Sequence, residues 1–282
     1  MRKLFLVVSF ITIVLLPCCS AFAGPINILT TNEVTGGPYS PESFFNFATG
    51  EGYAVIRNDL NTNNFGRPLN FLSSVNVINE AALANVDVVV LAPWMYGVVD
   101  NGGAAALNSF VQKGGGLIVA GNYAEMLGIF GMPLLTGTNW GVDPPVSVIN
   151  SASPIINGPF GIVSGTINIG ACSYIKPGDL GPNGMVVLTA GDGKIIGATF
   201  QYGLGRAVIF TDEEIFLNDP PQGLEWVKVE TPYSGLVPNP ANETLFLNSF
   251  AYVIPAAVPE PVTLLLMGLG LIGLAGVRRF KK

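Results

Sequence analysis

Apolar residues in this chain come in short blocks, and the spacing inside each block predicts its secondary structure. INILT (26–30) is a compact apolar run that reads as a first strand. PESFFNFAT (41–49) suits a helix turning Phe44, Phe45 and Phe47 inward, and YAVIRN (53–58) suits a second strand. VDVVVLAP (86–93) is continuous and β-branched, the pattern of a strand buried on both faces. AAALNSFVQK (104–113) reads as a helix, ended by Gly114, Gly115 and Gly116, and LIVA (117–120) as the next strand. Strand, helix and strand at this spacing predict a parallel sheet covered on both sides.

The second half has a different rhythm. Residues 133–182 are rich in Gly, Pro, Asn and Ser and predict loops with small strands. MVVLTA, KIIGATFQY and RAVIFTD follow, joined by Gly191-Asp192-Gly193 and by Gly203-Leu204-Gly205. Glycine-rich links between β-rich runs are hairpin signals, so an antiparallel meander should join the parallel sheet. NETLFLNSFAYVI (242–254) closes the pattern as a helix with Leu245, Phe246, Ser249, Phe250 and Val253 at helical spacing.

The two ends are apolar in another way. Residues 1–23 have a basic start (Arg2, Lys3), an apolar stretch and small residues at Ala21 and Ala23, the pattern of a secretory signal peptide cleaved by signal peptidase after Ala23. Pro17 and Cys18 argue against a lipoprotein reading at Cys18 or Cys19. At the other end, 262–277 is almost wholly Leu, Gly, Val, Ile, Ala and Met, preceded by Pro259, Glu260 and Pro261 and followed by Arg278, Arg279, Lys281 and Lys282. As a helix this run is about 24 Å long, slightly short for a bilayer core, with terminal cations able to reach the headgroups. It reads as a transmembrane helix with a cytoplasmic C-terminus. Gly268, Gly270 and Gly273 match a dinucleotide fingerprint letter for letter. That fingerprint needs a following helix and an acid some 20 residues on, and only nine residues remain.

Pro-Glu-Pro, an apolar helix and a terminal basic cluster, in that order, resemble the PEP-CTERM sorting signal of Gram-negative bacteria. The resemblance implies processing by an exosortase, a membrane-embedded cysteine protease, and company with exopolysaccharide and biofilm systems. The chain then divides into a signal peptide (1–23), one exported domain (24–257) and a sorting tail (258–282). Its expected path runs from an inner-membrane-anchored precursor to the cell surface or extracellular matrix.

Trimming the ends changes the charge. Of 13 cationic residues six lie in the end segments, and of 19 acids only Glu260 does, so residues 24–257 carry 7 cations, 18 acids and a net charge of −11. Such a domain is poorly suited to nucleic acid or to an anionic surface. Cys172 is its single cysteine, which excludes an internal disulfide and suits a small buried apolar residue. No histidine occurs anywhere in the chain, which removes Ser-His-Asp and Cys-His catalysis and every His-ligated zinc site.

VDVVVLA, QKGGGLIVAG, GLGRAVIFTDEEIFLN and NETLFLNSFAYVI together resemble the class I glutamine amidotransferase-like superfamily. The closer likeness is to its noncatalytic branches, the trehalose-utilisation and gliding-motility-transporter types. The resemblance implies an α/β fold of amidotransferase-like or flavodoxin-like kind: a mostly parallel sheet flanked by helices, with the antiparallel meander in its second half. It does not carry the activity over. Where an amidotransferase places its nucleophilic cysteine, after the strand 117–120, this chain has Gly121-Asn122-Tyr123-Ala124-Glu125, and the partner histidine is missing.

The residues left for binding gather beyond the carboxyl ends of the expected strands, where open α/β sheets take ligands. Glu33 follows the first strand, Trp94 the strand of VDVVVLA, and Asn122 the strand 117–120. Asp212, Glu213, Glu214, Asn218 and Asp219 form the densest acidic run. That run reads as a solvated loop, as oxygen ligands for Ca²⁺ at Asp212, Glu214 and Asp219, or as paired carboxylates for glycoside chemistry. Trp94, Trp140 and Trp226 suit either sugar stacking or the core. The sequence therefore points to a surface or matrix protein whose noncatalytic domain binds, or builds structure, near a polysaccharide and needs no cofactor unless Ca²⁺. The competing reading is a divergent hydrolase acting on an envelope glycan through the acidic run.

Overall fold

The computed structural model describes residues 24–30, 60, 63, 65–72, 75, 77–91, 102–120, 146–167, 174–176, 178, 180–191, 193–211 and 240–255. Among them, β1 (Ile26–Thr30), β2 (Leu69–Phe71), β3 (Val88–Leu91), β4 (Gly116–Ala120), β5 (Val146–Val148), β8 (Gly184–Ala190), β9 (Ile195–Tyr202) and β10 (Gly205–Phe210) form an eight-stranded sheet. Its order is β2-β1-β3-β4-β10-β9-β8-β5. The ladders from β2 to β10 are parallel, and those from β10 to β5 are antiparallel. A separate two-stranded ladder pairs β6 (Asn157–Gly158) with β7 (Gly161–Ile162).

The hydrophobic blocks explain this arrangement. All four residues of β3 and all five of β4 are buried, as strands sandwiched between two covering layers must be. The meander is present as read, and its last strand, β10, lies between β4 and β9, joining the parallel half to the antiparallel half. β2 was not legible: LNF is too short to show a period, yet it pairs with β1 from Ile26↔Leu69 to Ile28↔Phe71. The helix read at 41–49 and the strand read at 53–58 lie outside the described residues, as do Cys172, the signal segment 1–23 and the tail 256–282. Among the described residues no helix is long and apolar enough to cross a membrane.

Two helices are described. α1 (Gly103–Gln112) buries Ala106, Leu107, Phe110 and Val111 on one sheet face, packed with Leu29, Val89, Leu117, Val119 and Ile209. The glycines at its end permit a close approach. A Cβ at Gly205 would strike the backbone oxygens of Val111 and Gly115, so the β9–β10 turn can sit against α1, with Leu204 N donating to Gln112 O at 3.0 Å. α2 (Pro240–Val253) covers the other face with Leu245, Phe246, Phe250 and Val253. Its outer side is buried as well, because Ile155, Ile156 and Val163 belong to the same core cluster. Phe65 completes that packing, 4.8 Å from the ring of Phe160 and 5.1 Å from that of Phe250.

Residues 24, 25 and 66–68 belong to a second, small unit. Within it Arg67 donates from Nε to Gly24 O at 2.8 Å and from Nη2 to Pro25 O at 3.1 Å.

Candidate functional site

The parallel strands set up the edge at which ligands were expected. Register pairs Thr30 with Val90, Leu91 with Val119 and Ala120 with Phe210, so β1, β3, β4 and β10 end side by side. β1 and β3 leave on opposite sides of the strand-order reversal, the position of the binding crevice in doubly wound sheets. Glu33 follows β1 by three positions, Trp94 follows β3 by three, and Asn122 and Asp212 follow β4 and β10 by two each. The topology therefore brings together the strand ends that precede these candidates. The candidates themselves, with Glu213, Glu214, Asn218, Asp219, Trp140 and Trp226, lie outside the described residues. The last described residue before the acidic run is Thr211, which is buried and tied to Ile196 O through its backbone N at 3.0 Å and its Oγ1 at 3.4 Å. Among the described residues no three His, Cys, Asp or Glu side chains gather as a metal site would require.

At the opposite edge of the parallel strands the side chains are visible. A pocket of about 330 Å³ opens between the end of α2, the start of β10 and the segment before β6. Pro154, Pro159 and Ala251 supply apolar wall, and Gln201, Arg206 and Tyr252 supply polar atoms. Gln201 and Arg206 are cross-strand partners on β9 and β10. Arg206 Nη1 donates to Tyr252 O at 3.2 Å, and its guanidinium lies 5.2 Å from the centre of the Tyr252 ring. It thereby caps the carbonyl end of α2, where a cation is favoured. Gln201 Nε2 donates to Gly203 O at 3.2 Å and Gly205 O at 3.0 Å, which leaves its oxygen as an acceptor.

Burial pushes the Tyr252 phenol above its ordinary value, while the charge of Arg206 and the hydroxyl of Thr199 pull the other way. Thr199 Oγ1 is buried and makes no well-formed hydrogen bond among the described residues. Asn248, also on the pocket wall, is fully buried and committed elsewhere. Its Oδ1 accepts from Phe160 N at 3.0 Å, and its Nδ2 donates to Gly161 O at 3.0 Å and Ile155 O at 3.4 Å. The Asn248 amide is therefore a structural staple between α2 and the segment of the β6–β7 hairpin.

Sequence reasoning passed over this pocket because its parts come from three separate stretches, 154–159, 201–206 and 248–252, and no motif links them. One signal was present: Arg206 is among only seven cations in the 24–257 region of net charge −11.

No curated relative matches the chain. Among solved structures it is similar to a ThuA-like protein from Bacteroides uniformis, at 13% identity and a TM-score of 0.51, over 81% of this chain and 91% of that one. It also matches a GMP synthase protein from Thermoplasma acidophilum, at 12% identity and a TM-score of 0.45, over 81% and 94%. A cytoplasmic protein from Salmonella typhimurium matches at 12% identity and a TM-score of 0.46, over 82% and 100%. These likenesses concern the fold alone. Residues 257–279 match the PEP-CTERM protein-sorting motif, so the chain is an exported, exosortase-sorted protein, and its middle has a ThuA-like α/β fold.

Proposed function

We propose that this protein serves at the cell surface or in the extracellular matrix as a noncatalytic binding or structural module associated with exopolysaccharide. The match of residues 257–279 to the sorting motif carries the reading, because it marks the chain for processing by exosortase. On this reading signal peptidase removes residues 1–23, the apolar run 262–277 holds the precursor in the inner membrane, and exosortase releases the domain from it. The absence of histidine from the whole chain supports the noncatalytic part, since it removes the base of amidotransferase chemistry.

Intact mass of the cell-surface form tests the sorting step. It should begin at Gly24 and lack residues 262–282, and a surface form that retains the tail in every preparation would overturn the proposal. Binding of the full chain to polysaccharide from its own host tests the module, and no binding to any polysaccharide fraction would overturn that half. The same preparation should release no ammonia from glutamine.

A further inference from the structure

We infer that the pocket framed by Gln201, Arg206 and Tyr252 is a binding site for one uncharged sugar ring of a polysaccharide, an inference that rests on the surface-module reading above. At about 330 Å³ it lies at the small end of ligand pockets and opens to solvent, as the seat of one unit of a longer polymer must. Its lining matches the two characters of a pyranose. Pro154, Pro159 and the Tyr252 ring offer flat apolar surface to the C–H face of a sugar. The Gln201 oxygen accepts, and the remaining N–H groups of Arg206 donate, so neighbouring hydroxyls find one partner of each kind.

Charge decides between neutral and acidic sugars. Arg206 already faces the carbonyl end of α2 and the Tyr252 ring, so its positive charge is largely answered before a ligand arrives. The surrounding region carries a net charge of −11, which repels polyanions. Among the described residues no carboxylate lines the pocket, so they offer neither a general acid and base for cleaving the ring nor ligands for a bridging divalent cation. The site holds a sugar and leaves it intact.

The test uses the full chain in a detergent without a sugar headgroup. The probes are hexasaccharides of glucose, mannose and galactose and a hexauronate of the same length, with binding read by calorimetry and saturation-transfer NMR. A neutral hexasaccharide should bind, and Tyr252→Ala and Gln201→Ala should each weaken it roughly tenfold or more. Tyr252→Phe, which keeps the ring, should bind as the parent does, with unchanged melting temperatures identifying the folded variants. Neutral binding that is indifferent to both alanine variants would overturn this site and leave the glycan-module reading standing. Binding of the hexauronate alone, lost with Arg206→Gln, would overturn the neutral assignment. Binding of no glycan by the parent would overturn both the site and the module.

Discussion

Replacing Asn248 by alanine tests whether α2 is held from outside as well as from the sheet. The native amide makes three contacts to backbone groups of the segment that contains the β6–β7 hairpin, two at 3.0 Å and a longer one at 3.4 Å. Alanine removes all of them and leaves a small void on a fully buried position. Phe160 N then loses its acceptor in a half-buried setting, at about 1–3 kcal/mol for an orphaned group. Gly161 is exposed, so its carbonyl can turn to water and contributes less. Adding the void gives a loss of about 2–4 kcal/mol. For a folded part of this size that is a fall of about 5–15 °C in melting temperature. Thermal unfolding of the full chain by circular dichroism is the assay. Asn248→Asp separates hydrogen bonding from volume. It keeps the acceptor for Phe160 N but sets a carboxylate against two carbonyl oxygens, so it should be unstable at neutral pH and recover as acid protonates the group. A fall of less than 2 °C for Asn248→Ala, about 1 kcal/mol or less, would refute the staple and imply that apolar packing alone seats the hairpin.

Three further outcomes follow from other positions. Because burial raises the Tyr252 pKa, the folded state holds that proton more tightly than the unfolded chain. Its stabilising share is complete below about pH 10 and is lost as pH rises toward the folded value, and Tyr252→Phe should flatten that part of an alkaline unfolding profile. Gly205→Ala drives a Cβ into the backbone oxygens of Val111 and Gly115, at about 1–3 kcal/mol or more, whereas Gly193→Ala meets nothing within 4 Å and suffers only its φ of +83°, at about 1–2 kcal/mol; denaturant titrations ranking Gly193→Ala as the worse would contradict the close approach. Salt should raise the melting temperature of a region with net charge −11, and a Ca²⁺ shift larger than that of NaCl at equal ionic strength should vanish with Asp212→Asn and Glu214→Gln; equal shifts would assign the acidic run to general repulsion.

What was legible from the residues follows from how each element earns its burial. β3 and β4 sit between two covering layers, so VVVL and GLIVA show continuous apolar runs that need no context. The meander was legible through its glycine turns. α2 was legible only by half: Leu245, Phe246, Phe250 and Val253 mark the sheet-facing stripe, but Leu247 and Asn248 are buried too. A polar residue at 248 argues for an exposed outer face unless one knows that residues 153–163 fold over it, and that contact spans some 90 positions. β2 stayed hidden because three residues with a central asparagine carry no period. The edge where the parallel strands end together could be placed because it depends on strand direction, which spacing predicts. The Gln201–Arg206–Tyr252 pocket could not, because it depends on a helix end meeting a strand start.

The position of α2 has a consequence for how the chain crosses its membrane. Transport delivers a polypeptide from its amino end, yet the last helix of this fold lies in the core between the sheet and residues 153–163. β10, which separates β4 from β9, is also late in sequence. Until those segments emerge, β4 has an open edge and the α2 face of the sheet is bare, so the native topology cannot close early. If the chain is exported unfolded and amino end first, the native topology closes only after residues 240–253 are across. That keeps the translocating chain threadable, at the expense of an interval in which it needs protection from its neighbours.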